Sequence, residues 1–253
     1  MTSYEEFLSL HVPGRPFVLA NAWDVYSALA FVDAGHAAIG TTSLGITAAA
    51  GVLDGSRLGH DLTVELVGRL CGRLAVPLTV DLEDGYHDDP SAVCHVVATV
   101  AEFGAVGINL EDAGRSTDEQ QKILAAVRRN IEGVFINARL DEFWSGEHNL
   151  RRALERCRAY RDAGADGLFL PGLTDPGAID EVAAVGPPLN LLWHSGLDLH
   201  NTPAARVSTG SAPFRSAIAA GVAAVQAART GGTPPPAVSY AATQTVLGPR
   251  ASH

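Results

Sequence analysis

Short runs of apolar and β-branched residues recur along the chain. Longer Ala-rich stretches separate them, with apolar positions three and four apart. The short runs predict strands over 17–20, 37–40, 77–80, 104–110, 133–138, 167–170, 189–192 and 205–208. The longer stretches predict helices over 25–34, 63–73, 90–103, 117–129, 149–163, 176–184 and, after the last strand, 213–228. The seventh and eighth strands are separated by 196–203, room for a turn of helix at most. Strands this apolar are buried on both faces, as in a parallel sheet covered by helices. Ala34-Gly35, Phe103-Gly104 and Ala163-Gly164 each end a helical pattern and open a strand, with Gly suited to the left-handed residue that stops a helix. Eight such units predict an α/β fold, a single (β/α)8 TIM-type barrel. The competing arrangement is an open doubly wound sheet. It would carry G-x-G-x-x-G after its first strand, where Asn21-Ala22-Trp23-Asp24 stands instead.

After Ala228 the pattern breaks. Residues 230–236 read Thr-Gly-Gly-Thr-Pro-Pro-Pro, a linker by composition, and 239–247 could form a short amphipathic helix or a frayed tail. The chain therefore divides into a barrel domain, 1–229, and a Pro/Gly linker with a C-terminal tail, 230–253. Of the 253 residues 47% are hydrophobic and 18% charged, ample for a large core and too apolar for a disordered chain. With 28 acidic against 18 basic residues the net charge is −10, which argues against nucleic-acid binding. No apolar run approaches a transmembrane length, and the N-terminus lacks a signal pattern. Three cysteines, without metal or disulfide spacing, point to a reducing cytoplasm.

In a parallel barrel the active site lies at the C-terminal ends of the strands. Those ends run into Asn21 and Asp24, Thr42-Ser43-Leu44 and on to Asp54, Asp81-Leu-Glu83-Asp84-Gly-Tyr86, Glu111-Asp112, Asn137-Ala-Arg139, Pro171-Gly172, Trp193-His194, and Ser208-Thr-Gly-Ser211. Asp54, Asp81, Glu83 and Glu111 come from three successive loops and converge on one mouth. Carboxylates so gathered repel one another unless a cation sits among them. An all-oxygen set without His or Cys suits Mg2+ or Mn2+, with one carboxylate bound directly and others holding waters. Arg139 suits a substrate carboxylate, or else an ion pair with one of these acids; Asn137 lies beside it. Thr42, Ser43 and Leu44 open a small-residue loop whose backbone N–H groups could hold an anion. Ser208–Ser211 could do the same or cap the next helix.

At these residues the chain resembles the isocitrate lyase/phosphoenolpyruvate mutase superfamily. The matching stretches are 17–24 (FVLANAWD), 39–54 (IGTTSLGITAAAGVLD), 77–86 (PLTVDLEDGY), 107–112 (GINLED), 136–139 (INAR), 163–172 (AGADGLFLPG) and 207–214 (VSTGSAPF), in order from the first strand to the eighth. The resemblance implies a barrel assembled as a dimer of dimers, a homotetramer that exchanges its last helix. It implies cleavage or formation of C–C or P–C bonds beside a 2-oxo acid, through a Mg2+-stabilised enolate. On the same footing, Asp81 would bind the metal directly and Asp54, Glu83 and Glu111 would hold its waters. The substrate carboxylate would meet Thr42, Ser43 and Leu44, and Arg139 would hold its other oxygens.

Three departures shape the expected activity. Glu83 stands where the family usually has Asp. The Lys-Lys/Arg-Cys-Gly-His segment of the lyases is absent, because Glu111-Asp112 runs through 113–118 straight into a helix. The gating loop of the P–C enzymes is short, with only Arg115 as a basic residue. The expected activity is therefore Mg2+- or Mn2+-dependent C–C cleavage of a small 2-oxo or 2-hydroxy carboxylate, of oxaloacetate decarboxylase or lyase type. His194 or Tyr86 is the available acid/base where one is needed. The alternatives are P–C chemistry of phosphonopyruvate hydrolase or phosphoenolpyruvate mutase type, with Asp54 nearest the phosphoryl group, and a non-catalytic 2-oxo-acid binding protein. The expected partners are the small carboxylate and further copies of the chain in a homo-oligomer.

Overall fold

The computed structural model describes residues 4–146 and 148–248. The elements in order are α1 (Tyr4–Ser9), β1 (Phe17–Ala22), α2 (Val25–Asp33), β2 (Ile39–Thr41), α3 (Ser43–Ala49), α4 (His60–Leu70), β3 (Leu78–Asp81), α5 (Pro90–Glu102), β4 (Gly107–Glu111), α6 (Thr117–Asn130), β5 (Phe135–Arg139), α7 (Leu150–Asp162), β6 (Gly167–Leu170), α8 (Pro176–Ala183), β7 (Leu189–Leu192), β8 (Arg206–Ser208), α9 (Ala212–Thr230) and α10 (Tyr240–Leu247). All eight strands are parallel and neighbours in sequence order. β8 returns to β1 in the register Phe17↔Arg206, Val18↔Val207, Leu19↔Ser208, which closes the barrel.

The helix boundaries follow local chemistry. Ser116 and Glu119 form a reciprocal capping box at α6, and Asp89 and Asp175 cap α5 and α8, each followed by Pro in the first turn. Gly35, Gly104 and Gly164 have φ of 89°, 99° and 99°, the left-handed turn expected between helix and strand. That turn at Gly104 is why β4 begins at Gly107 rather than at 104.

Side chains from the helices and the outer strand faces form the main core. A second cluster of Phe7, Leu19, Ala38, Val106 and Phe135 seals the N-terminal end of the barrel. There α1 acts as a plug, which the sequence pattern did not predict. Phe7 is fully buried, and a Cβ on Gly107 would lie 2.7 Å from its ring, so this strand position has room only for glycine. His11 stacks on Phe135 with ring centroids 4.2 Å apart.

One other feature departs from the expected pattern. The stretch after β2, read as a Gly/Ala loop, contains α3. Its sequence, Ser-Leu-Gly-Ile-Thr-Ala-Ala, is short and lacks a long apolar stripe. The tail folds back as α10 onto α2, with Tyr26 and Thr243 hydroxyls 3.3 Å apart. By contrast α9 leaves Ile218, Val222 and Val225 exposed and buries only Ala227. No helix among the described residues is long and apolar enough to cross a membrane.

Candidate active site

A pocket opens at the C-terminal ends of the strands. Its polar wall comprises Asn21, Thr42, Ser43, Asp54, Asp81, Asn109, Arg139, Ser208 and Ser211; Leu44, Trp144, Phe169, Pro171 and Leu192 supply apolar surface. Asp81 ends β3. Its Oδ2 accepts from the Ser43 N–H at 3.2 Å, and its own N–H donates to Thr41 Oγ1 at 2.8 Å, so α3 and β2 fix its position. The Thr42 N–H is spent on Ala22 O at 3.1 Å. Two of the three backbone donors expected to receive an anion therefore already have partners.

Glu83 sits behind Asp81 in the left-handed region, φ 51°, a strained conformation for a residue with a Cβ. It is 3% exposed, and neither carboxylate oxygen has a hydrogen-bond partner among the described residues. Burial, then the neighbouring charges of Asp54 and Asp81, push its pKa up to about 7, against a smaller pull from the Arg57 backbone N–H, which approaches it without hydrogen-bond geometry. Burial likewise raises Glu111, up to about 8, although Arg139 opposes the shift. Asp54 is raised by burial, with the Ser43 hydroxyl pulling the other way. Burial is the leading cause of all three shifts, and repulsion among the acids adds to it; an orphaned buried carboxylate is what a hydrated cation would satisfy. Among the described residues no three His, Cys, Asp or Glu side chains gather as a direct ligand shell.

Arg139 is the cation of this wall, and it is engaged. Its Nη1 lies 2.6 Å from Glu111 Oε2, while Nε and Nη2 fork onto Asp141 at 2.7 and 3.2 Å. The pair with Glu111 is the ion pair with a strand-end acid that the sequence offered as the alternative, whereas Asp141, which takes the fork, was passed over. Burial opposes its charge, but Glu111, Asp141 and Asp81 outweigh that and keep it protonated. Asp112, next to Glu111, faces away: Tyr160 and Arg156 bind its Oδ2 at 3.1 and 2.9 Å, and the Asp141 N–H donates to its Oδ1.

A second ion-pair network holds the loops behind the acids. Arg57 contacts Asp84 through Nε at 2.9 Å and also pairs with Asp88. Arg115 donates to the Asp84 carbonyl at 2.8 Å and the His87 carbonyl at 2.7 Å. The loops after β2, β3 and β4 are thereby tied together, and Arg115 serves as a strut between them rather than a group reaching the pocket.

Other expected residues lie elsewhere. His194 is not in the pocket wall, and its Nδ1 accepts from the Gly196 N–H at 3.2 Å. Tyr86 is buried behind Glu83 with its hydroxyl on Thr63 Oγ1 at 3.1 Å; burial raises its pKa, and the site acids add to that. Asn137 points into the barrel interior and donates to Asn109 Oδ1 at 2.8 Å. The sequence reading missed Asn109, Arg206, Trp144, Phe169 and Leu192. Arg206 did leave a signal, a charge in the middle of an apolar strand. It is fully buried on the barrel axis, and burial lowers its pKa to about 9 against the pull of Asp81.

The family model described as phosphoenolpyruvate phosphomutase matches residues 7–229. An uncharacterized protein of Mycobacterium tuberculosis is 41% identical over 95% of this chain and 95% of its own length. The 2-methylisocitrate lyase of Salmonella typhimurium is 30% identical over 66% of this chain and 65% of its own. A phosphonopyruvate hydrolase structure in complex with oxalate and Mg2+ superposes with a TM-score of 0.85, covering 98% of this chain and 95% of that one, at 21% identity, a likeness of fold. Since the family match runs from the α1 plug to the end of α9 and takes in every strand of the barrel and every acid of its mouth, the chain belongs to the isocitrate lyase/phosphoenolpyruvate mutase superfamily.

Proposed function

We propose that this pocket binds a small 2-oxo or 2-hydroxy carboxylate together with Mg2+ or Mn2+ and cleaves a C–C bond, with oxaloacetate-type decarboxylation, in which the bond one carbon beyond the oxo carbon breaks, as the simplest case. The observation that carries this reading is Glu83, buried with both oxygens unpartnered beside Asp81, its pKa pushed upward as are those of Asp54 and Glu111. Asp81 would hold the cation directly, with Asp54, Glu83 and Glu111 taking its waters. When bound, the cation supplies Lewis acidity toward the 2-oxo group. Membership of a superfamily that includes lyases, and the oxalate and Mg2+ named for the phosphonopyruvate hydrolase, support the same reading.

The chain's own residues then do the following. The Ser43 N–H pins Asp81. Arg139 offsets part of the charge of Glu111 and Asp141, and a bound cation would offset more of it so that the mouth could take a further anion. Trp144, Phe169, Pro171 and Leu192 give one side of the pocket an apolar surface. In decarboxylation the electron pair of the breaking C–C bond forms a C=C bond to the oxo carbon, whose carbonyl pair moves onto oxygen; CO2 leaves, and the carbon that lost it then takes a proton from water. No side chain need donate a proton to the leaving group, which fits a pocket wall that includes neither His194 nor Tyr86. Phosphoryl chemistry has less support, because Arg115 is committed to the loop scaffold.

A screen of 2-oxo acids for release of pyruvate or CO2, with and without Mg2+, tests the reading. Turnover that disappears with chelator and with Asp81→Ala is the expected result. Stabilisation by oxalate and Mg2+ without turnover of any acid would favour a binding protein instead, and full activity after exhaustive chelation would remove the metal from the mechanism. We also propose that a second copy of the chain covers the exposed apolar face of α9 in a homo-oligomer.

A further inference from the structure

Arg206 is the largest side chain sealed inside the barrel, and among the described residues it pairs with no carboxylate. From β8 it reaches across to β4. Its Nη2 donates to Asn109 Oδ1 at 3.1 Å and its Nε to Ser208 Oγ at 3.1 Å. A guanidinium has donors and no acceptor, so the atom of the Asn109 carboxamide that faces it has to be the oxygen. Asn137 Nδ2 donates to the same oxygen at 2.8 Å. Two interior donors thus turn the oxygen inward. The side-chain hydrogen bonds of Asn109 among the described residues are both accepted by its oxygen, which leaves its NH2 group free to donate, and Asn109 lines the pocket. The same logic disposes of Ser208. Its oxygen accepts from Arg206, so its proton goes to Asn190 Oδ1 at 3.1 Å and none is offered to the pocket.

We propose that Arg206 is a positioning residue: from inside the barrel it orients the Asn109 carboxamide so that its NH2 group donates to an oxygen of the bound carboxylate. The inference rests on the pocket being the carboxylate site. It gives the floor of that site a donor that does not depend on Arg139, whose fork is held by Asp141. The bulk and charge of Arg206 stay beneath the floor, out of contact with the ligand.

Oxalate binding measured by calorimetry at fixed Mg2+ tests it through a double-mutant cycle. Asn109→Ala and Arg206→Met should each weaken oxalate by about tenfold, and the double variant should bind no more weakly than Asn109→Ala alone, because Arg206 acts only through Asn109. Losses that multiply, or Asn109→Ala binding as tightly as the parent, would overturn the proposal. Should Arg206→Met fail to fold, Arg206→Lys replaces it in the cycle, since it keeps the charge and lacks the fork. A ligand-free measurement separates this proposal from the function it rests on. The side-chain amide signals of Asn109 in NMR, assigned by their loss in Asn109→Ala, should move in Arg206→Lys. If the parent binds no oxalate, the carboxylate reading fails and the donor role fails with it. If oxalate binds but the Asn109 signals stay put in Arg206→Lys, the positioning role fails alone.

Discussion

A carboxylate buried without a partner, as Glu83 is, makes folding sensitive to pH. Its pKa lies at about 7 in the native protein against an ordinary value of 4.5, so the folded state keeps a proton that the unfolded chain releases. The native state therefore binds more protons across that window, and stability must fall as pH rises. Denaturation midpoints of the metal-free protein should decline from pH 5 to pH 8, and Glu83→Gln, which cannot ionise, should flatten the decline. A midpoint that rises over this range would contradict the assignment. Removing Arg139 should cost more than removing its partner. Arg139→Gln strands Glu111 and Asp141 in a largely buried cluster, at a cost of about 3–5 kcal/mol, and adding Glu111→Gln should recover part of it. Chemical denaturation of the single and double variants measures the difference. At this scale the acids were legible in the sequence as strand-end residues. The pair of Arg139 with Glu111 was among the readings weighed, but its fork onto Asp141 was not, because Asp141 lies in the loop just beyond β5 and only the folded loop turns it back onto the guanidinium.

Among the elements, α1 is the plug on which one end of the barrel depends. Phe7→Ala would leave a cavity bounded by Leu19, Val106 and Phe135, and should destabilise the protein by about 3–5 kcal/mol, read as a lower denaturation midpoint. An effect below about 1 kcal/mol would mean that α1 is not integral to the core. Six residues are too few for helical periodicity to register, which is why α1 escaped the pattern. The α4 boundary shows the opposite error. Its apolar pattern runs on to 73, but the helix ends at Leu70, because Gly72 adopts φ 71° and turns the chain toward β3. The longer helices, α5 to α8, were legible to within about two residues because caps and apolar stripe agree.

For the whole molecule, the conspicuous surface is α9, with Ile218, Val222 and Val225 at spacings of four and three along one exposed face. Val222→Asp placed at the middle of that face should shift sedimentation from an oligomer toward the monomer. A parent chain that sediments as a monomer, or a variant with an unchanged oligomer, would show that α9 is not the interface. The sequence by itself determined the barrel, since eight apolar runs alternating with amphipathic stretches allow few other ways to bury both faces of a parallel sheet. It also determined which acids stand at the mouth, because a residue just past a strand has only one end of the barrel to go to. The tertiary structure alone decided whom each charge meets. Closure sets Arg206 opposite Asn109, 97 residues away, and turns Asn137 inward to join them. It leaves His194 out of the pocket wall and lets Asp141 take the fork of Arg139. Alternation along a chain records which side of an element is buried, whereas pairing across the barrel depends on register and side-chain length, which are fixed only when the eighth strand meets the first.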